Sequence, residues 1–541
     1  MAPNTPPTLG SAPAEPWRSS AVAPRPVRAD LAGLVAAAVT LIGLAALLVW
    51  PLVVVLGLGL VSPPAPLAVI GFTVTVAVAS TVGALGLAAV VAAAVRAGVF
   101  GDRVLLGICR AGLLLPPFVV PVALLALAGG GGVLSGWLGD RAFGGPASIV
   151  VAQALAFLPH AFALVMRALA GVSAEAEQAA ELLGASRLTV LRRVTLGLAW
   201  PRLTSAAFVV LGLCLADVAT PLLVSREPMM LAVFIISPTD TTATVASGAL
   251  ALSLLTFAVA LAGRTWRETA APFAAGGTSA ARRQPMGATR AILATPAWVI
   301  GAGLLALWVT VPLASLRGPR GGGYLTLESW GILFRSPGSL VHSLLLAVGV
   351  AFVGTTLALA IAAVAARARN VAASLALRLT RVPVAIPGVV AGIGYVMAFG
   401  IPHGELALLV LLVAVWGLPL TLPVATDVLA RADRATEQAA LSLGAGRLTT
   451  LRRVVLPALN PAAAWIFGHG FAAGLTAVGT VFVIAERSGL GLGVIDVLVL
   501  AAFGAAGPAC AFTTTLVVLA AGATLLGRAV AGRESIPTLL A

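Results

Sequence analysis

EQAAELLGASRLTVLRRVTLGLAWP, residues 177–201, returns as EQAALSLGAGRLTTLRRVVLPALNP, residues 437–461. The offset is a constant 260, with 16 identities in 25 positions. In each copy a run of helix-forming residues meets a glycine, Gly184 or Gly444, which permits the positive φ that ends a helix. In the first copy Ser186 then caps the next turn, and Leu188, Leu191 and Val194 recur at i, i+3 and i+6 along one side of a short helix. Arg187, Arg192 and Arg193 occupy the remainder. The second copy repeats the plan with Arg447, Leu448, Leu451, Arg452, Arg453 and Val454, although Gly446 replaces the capping serine. Each copy therefore reads as a helix, a glycine elbow and a short helix with an apolar edge and basic flanks.

On either side of these copies the chain is overwhelmingly apolar. Of its 541 residues 60% are hydrophobic and 10% charged, and the mean hydropathy is +1.07. Soluble domains carry roughly 25% charged residues, so the class is integral membrane. Apolar runs of the roughly 20 residues needed to cross a ~30 Å hydrocarbon core recur throughout. They give about twelve spans, at about 31–60, 67–95, 104–128, 148–170, 203–224 and 243–263, then 291–315, 340–366, 376–400, 405–427, 463–485 and 509–527. Residues 229–236 are too short to span, and 489–506 just long enough; both read as apolar loops that partly re-enter. The expected organisation is a disordered tail over 1–30, a first half over 31–263, a linker over 264–289 and a second half over 290–541. An even number of spans per half makes the repeats parallel, related by a pseudo-two-fold axis along the membrane normal with a central path between them.

The net charge of +14 comes from arginine alone; there is no lysine. Twenty-seven of the 33 arginines fall on one side of this topology, and only Arg141, Arg226, Arg317, Arg320, Arg335 and Arg487 on the other. Such asymmetry is the positive-inside rule and not a nucleic-acid surface. It places both termini, the linker and the two elbows in the cytoplasm, in a multi-pass inner-membrane protein. A basic helix resting on anionic lipid would explain the arginines and leucines. It would not explain a duplicated glycine elbow, which fits a docking site for a cytosolic partner.

Glu177-Gln178-Ala179 followed by Gly184, and Glu437-Gln438-Ala439 followed by Gly444, Val454, Leu456-Pro457 and Pro461, resemble the "EAA" signature of binding-protein-dependent ABC importer permeases. The resemblance covers both halves. It implies a type I ABC importer permease fold, all α-helical, with two parallel six-helix halves. It further implies that Glu177, Ala179, Gly184, Arg187, Leu188 and Leu191, with Glu437, Ala439, Gly444, Arg447, Leu448 and Leu451, form loops seated on two copies of a cytosolic ATPase. An extracytoplasmic solute-binding protein would deliver the cargo. Two copies in one chain resemble the ferric-iron, thiamine and aminoethylphosphonate uptake subfamily, as does the stretch Leu215-Ala216-Asp217-Val218-Ala219-Thr220. Gln stands for the central Ala in both copies, and Gly197 occupies the position matched by Pro457.

Without lysine the chain cannot carry a Walker A phosphate loop or a Schiff base, so ATP would be used by partner subunits and no cofactor is expected on this chain. Cys109, Cys214 and Cys510 are isolated in apolar runs, and His160, His342, His403 and His469 lack the i, i+4 partners of a metal site. No catalytic residue is expected. Ionisable groups within spans are costly and thus functional candidates. Asp217 either lines the path, with Thr220 and Thr480, or sits solvated near the outer interface. Pro121 and Pro387 are expected to kink helices that line the same path. The rival reading, an ion-coupled secondary transporter of the 6+6 type, shares the plan but gives no reason for the duplicated elbow.

Overall fold

A computed structural model describes residues 31–129, 144–225, 229–237, 241–270, 287–318, 325–335, 337–367, 370–401, 404–431 and 434–532. The described residues are helical throughout, apart from turns and a single antiparallel bridge between Arg317 and Leu325. Among the described residues eight helices are long and apolar enough to cross a membrane: Leu34–Val61, Leu67–Arg96, Pro146–Ala170, Arg187–Ala216, Thr242–Arg264, Ile292–Ala314, Pro337–Ala365 and Ala506–Ala531. Two bent pairs raise that number to ten, Val371–Val384 with Gly388–Phe399 at 112° and Glu405–Trp416 with Leu418–Leu429 at 59°.

The expected twelve differ from these ten at two places. The span expected at 104–128 is broken into Asp102–Gly112 and Val119–Ala128, because Pro116 and Pro117 deny the intervening turn its N–H donors. The span expected at 463–485 is the helix Leu456–Thr476, which Asn460 and His469 make less apolar than its neighbours. It stops at Thr476, and a separate helix, Phe482–Ser488, follows. The first half shows the same interruption after Ala216, before Ala219–Val224. The two segments expected to be apolar loops each hold a short helix. Residues 229–236 contain the short helix Leu231–Phe234, and 489–506 contain Gly493–Ala502.

These two short helices are fixed by the same device. The Leu231 N–H donates to the Thr73 hydroxyl at 2.7 Å, and the Gly493 N–H donates to the Ser343 hydroxyl at 2.7 Å. Thr73 and Ser343 lie near the starts of Leu67–Arg96 and Pro337–Arg367, which hold corresponding places in the two halves. A helix N-terminus has unpaired N–H groups, and in an apolar surrounding a hydroxyl from a neighbouring helix is the available acceptor.

The first helix of each half packs against the other half as well as its own. Trp298, on Gly287–Ala314, donates its indole N–H to the Phe100 carbonyl at 2.9 Å, and a Cβ at Gly301 would lie 2.7 Å from Leu105. Conversely, a Cβ at Gly394 would lie 2.7 Å from the Pro51 carbonyl oxygen, so Trp50–Val61 rests directly on Gly388–Phe399. Proline explains a bond at this crossing. Pro51 has no N–H to offer the Leu47 carbonyl one turn back, and the helix adopts a π-helical stretch over Ala45–Val49. The buried Tyr395 of the second half donates its hydroxyl to that Leu47 carbonyl at 2.7 Å. Tyr395→Phe should therefore destabilise the junction by about 1 kcal/mol, the net worth of one hydrogen bond. The check is a lowered thermal midpoint of the purified protein with unchanged membrane insertion.

Candidate functional site

The first elbow is built by three local hydrogen-bond motifs. The Ala176 N–H donates to the Ser173 hydroxyl oxygen at 3.2 Å, capping the helix Ala174–Leu182. Ser173 in turn donates to Glu175, holding that exposed carboxyl below its ordinary pKa. At the other end Gly184 takes φ 83°, the Gly184 N–H donates to the Glu181 carbonyl at 2.9 Å, and the Ala185 N–H donates to the Ala180 carbonyl at 3.0 Å. This is a Schellman stop, and it needs the positive φ that glycine alone adopts without strain. The Thr189 N–H then donates to the Ser186 hydroxyl oxygen at 3.3 Å and starts the next helix.

The second elbow reproduces the stop with φ 83° at Gly444 and an Ala445 N–H donating to the Ala440 carbonyl at 3.0 Å. There is no serine cap here, and the Thr450 N–H donates to the Gly446 carbonyl at 3.0 Å as the Val190 N–H does to the Ser186 carbonyl at 2.9 Å in the first elbow. The helix after each elbow is not the short one expected. Arg187–Thr189 runs through a π-helical stretch, Val190–Thr195, straight into Leu196–Ala216, and Arg447–Thr450 runs through Leu451–Val455 into Leu456–Thr476. Each elbow is thus the end of a long rod. A π-helical turn widens the backbone ring by one residue and often marks functional sites; nothing in the residue pattern announces it.

Leu188 and Leu191 are 55% and 46% exposed, as an apolar docking edge requires, while Val194 turns partly inward. The most exposed leucines are Leu182 and Leu183 at 89% each, with Leu443 at 88% in the second elbow. They stand in the last turn before each glycine, where the sequence reading looked only for helix formers. Ala179 and Arg187 are exposed, as are Ala439 and Gly444, and Glu437 is half-buried. The side chains of Arg447, Leu448 and Leu451 lie outside the described residues.

Glu177 is different from its neighbours: only 3% exposed, it faces the protein. Arg96 Nη2, at the end of Leu67–Arg96, lies 3.4 Å from both carboxylate oxygens. The Thr195 hydroxyl, across the elbow, donates to Glu177 Oε1. One carboxylate therefore joins the elbow helix, the long helix Leu67–Arg96 and the rod that follows the elbow.

At the opposite end of that rod the chain breaks at Asp217. Its Oδ1 accepts from the Thr220 N–H at 3.2 Å and its Oδ2 from the Gln153 side-chain amide at 3.1 Å. Both carboxylate oxygens of Asp217 are thus bonded, Oδ1 reaching the N–H of Thr220 in the short helix Ala219–Val224 from the residue before its N-cap, Val218. The second-half break, over 477–481, packs Thr480 against the bend at Pro387-Gly388, where a Cβ at Gly388 would lie 2.5 Å from Thr480 Cγ2. A Cβ at Gly479 would lie 3.8 Å from Val218 Cγ2, so the two breaks face each other across the seam. Pro121 is buried in Val119–Ala128, within the core shared with Ala219 and Leu223. Beside the seam lies a cavity of about 330 Å³, lined by residues of both halves that the sequence did not single out, including Ile235, Ser237, Ile393, Met397, Glu486 and Arg487.

Residues 84–265 match the family described as binding-protein-dependent transport system inner membrane component. That stretch holds the whole first elbow and its flanking rods. The ferric transport system permease protein FbpB of Actinobacillus pleuropneumoniae is 28% identical over 397 residues, covering 68% of this chain and 57% of that protein. The putative ferric transport system permease protein FbpB 1 of Haemophilus influenzae is 27% identical over 394 residues, covering 68% and 62%. The chain thus spans less than two thirds of the length of these curated relatives. No solved structure matches.

A charge pair so placed makes a measurable expectation. Glu177→Gln and Arg96→Ala should each destabilise the protein by about 2 kcal/mol, the worth of a hydrogen bond to a charged group. The double variant should cost much less than the sum, and thermal midpoints of the four proteins complete the cycle.

Proposed function

Since residues 84–265 match the family of binding-protein-dependent transport system inner membrane components, we propose that this chain is the permease subunit of an ABC importer that passes ferric iron into the cytoplasm. In this reading two copies of a separate ATPase dock on the two elbows, and an extracytoplasmic binding protein presents the cargo at the opposite face. The termini and the 264–289 linker lie in the cytoplasm with the arginine-rich loops. The chain is a transport subunit and not an enzyme: with no lysine it has no Walker A loop, so its partners use the ATP and it holds no cofactor of its own. Ferric iron is the cargo named for both relatives, and it is taken here in preference to thiamine or a phosphonate.

The observation that carries this reading is the pair of matched elbows. Each has φ 83° at its glycine, leucines nearly 90% exposed, and a continuous rod leading to the seam between the halves. Two ATPases closing on nucleotide need two equivalent contacts, and each must be joined stiffly to the membrane path. A secondary transporter needs neither. Exposed leucines gain when buried in a cleft, about 1.5–3 kcal/mol for a full side chain. Asp217, Thr220, Pro121, Pro387 and Thr480 belong on this reading to the seam through which cargo passes.

Two experiments check it. Leu448 and Leu451 changed together to Asp, or Leu182 and Leu183 likewise, should abolish ferric uptake in reconstituted vesicles and loosen ATPase co-purification while the protein stays in the membrane. Normal values for both variants would remove the elbows from the coupling role. For topology, a single cysteine at Gly277, in a background without native cysteines, should be labelled only after the inner face is opened; labelling from outside intact cells would overturn the orientation.

A further inference from the structure

Glu177 fastens the start of the rod at the elbow, through Thr195, and a second node fastens the rod's far end. Gln153, on Pro146–Ala170, is fully buried. Its side-chain amide donates to the Cys214 carbonyl at 3.1 Å and to Asp217 Oδ2 at 3.1 Å, and lies 3.9 Å from Met230 Sδ. One side chain therefore holds the last turn of the rod Leu196–Ala216, the break that follows it and the re-entrant segment. Next to Met230, the Leu231 N–H is held by Thr73 of Leu67–Arg96.

The node stands well away from the elbow. Seventeen residues separate Gln153 from Ala170, and at 1.5 Å per residue that is about 25 Å of helix. The rod after the elbow is thus held near its start by Glu177 of the elbow helix Ala174–Leu182, through Thr195, and at its far end by Gln153 of Pro146–Ala170, through Cys214 and Asp217, and the elbow helix follows Pro146–Ala170 across the short turn at Gly171–Ser173. In an apolar surrounding no water replaces such bonds when they open. A rod held at both ends by one continuous stretch of chain, the elbow helix at one end and Pro146–Ala170 at the other, resists sliding and twisting against it.

The second half lacks this arrangement. At the 260 offset Gln153 is matched by Val413 and Asp217 by Ala477, neither able to form the bond. Leu158-Pro159 is matched by Leu418-Pro419. The first half keeps its helix continuous through that proline, whereas the second breaks at Gly417 and bends by 59°. Phe157 stands in the first half where Gly417 stands in the second.

We infer that Gln153 and Asp217 are positioning residues that make the first half an unbent lever, carrying motion of the elbow to the break at the seam. This rests on the importer reading, and it assigns the two halves unequal roles. The first transmits as one body and the second yields at Gly417.

The test uses the complete complex of permease, ATPase and ferric binding protein in vesicles, measuring ferric ions taken up per ATP hydrolysed. Gln153→Leu and Asp217→Ala should leave ATPase co-purification and hydrolysis close to the parent, while uptake per ATP falls about tenfold, the usual scale of a coupling free energy. Asp217→Asn keeps Oδ1 for the Thr220 N–H and donates its Nδ2 to the Gln153 side-chain oxygen once the Gln153 amide turns, giving up the Cys214 bond alone, so it should recover a large part of the lost ratio. A lowered thermal midpoint with an unchanged ratio in Gln153→Leu and Asp217→Ala would make the node merely structural and overturn the inference. A loss in Asp217→Asn equal to that in Asp217→Ala would overturn it too, since charge and not the bond would then matter. A parent complex that hydrolyses ATP but takes up no ferric iron, or binds no ATPase, would instead refute the importer reading.

Discussion

A peptide group in hydrocarbon has no water to turn to, and this chain interrupts its helices repeatedly at membrane depth. Each interruption strands N–H and carbonyl groups that cost several kcal/mol if left unpaired. The architecture is largely a set of answers to that demand. Thr73 and Ser343 receive the N-termini of the two short helices, Tyr395 reaches the carbonyl below Pro51, and Gln153 meets the carbonyl at the end of the rod. All four are side chains from a different helix. Satisfying the backbone and joining the helices are the same act here, so the breaks that weaken single helices bind the bundle.

The repeat explains why these answers come in pairs, and its departures show where the halves part. The elbows match to the degree of their backbone angles because both are specified by a few consecutive residues. The hydroxyl clamps match in kind, threonine in one half and serine in the other. Span four does not match: the half with Gln153 and Phe157 keeps a straight helix through its proline, and the half with Val413 and Gly417 bends. A proline removes one hydrogen bond, and whether the helix then bends depends on what surrounds it.

The elbows were legible in the sequence because a Schellman stop is local: glycine at the right place, a capping serine two residues on, and leucines within a turn. Membrane class and the arginine asymmetry were legible for the same reason, being properties of runs of residues. The crossing of the first helices was not, since nothing near Leu47 says that Tyr395, far along the chain, will supply its donor. Asp217 was visible as an acid in an apolar span, but its partner Gln153 comes from another helix. Leu182 and Leu183 were passed over because a leucine in a helix reads as core, and only the turn at Gly184 puts them in the open. The broken third span read as a continuous apolar run; there the prolines were seen, but the depth of the break depends on Gly112 packing against Pro159 and Trp308.

Glu177 and the glycine beside it divide the work at an elbow. A docking loop must offer apolar surface outward while its own position is fixed inward, and a short helix cannot do both with one face. The Schellman stop resolves this by reversing the chain within a few residues, so that Leu182 and Leu183 face out while Glu177, less than two turns earlier, faces Arg96 and Thr195. The carboxylate is well suited to the inward task, since it accepts from a guanidinium and a hydroxyl at once and so fixes two helices relative to the elbow. Force applied to the leucines in the proposed docking would then reach both the helix that ends at Arg96 and the rod that begins beyond Ser186, without first bending the loop. A flexible linker bearing the same leucines could bind a partner as well, but it would absorb the displacement that an importer must transmit.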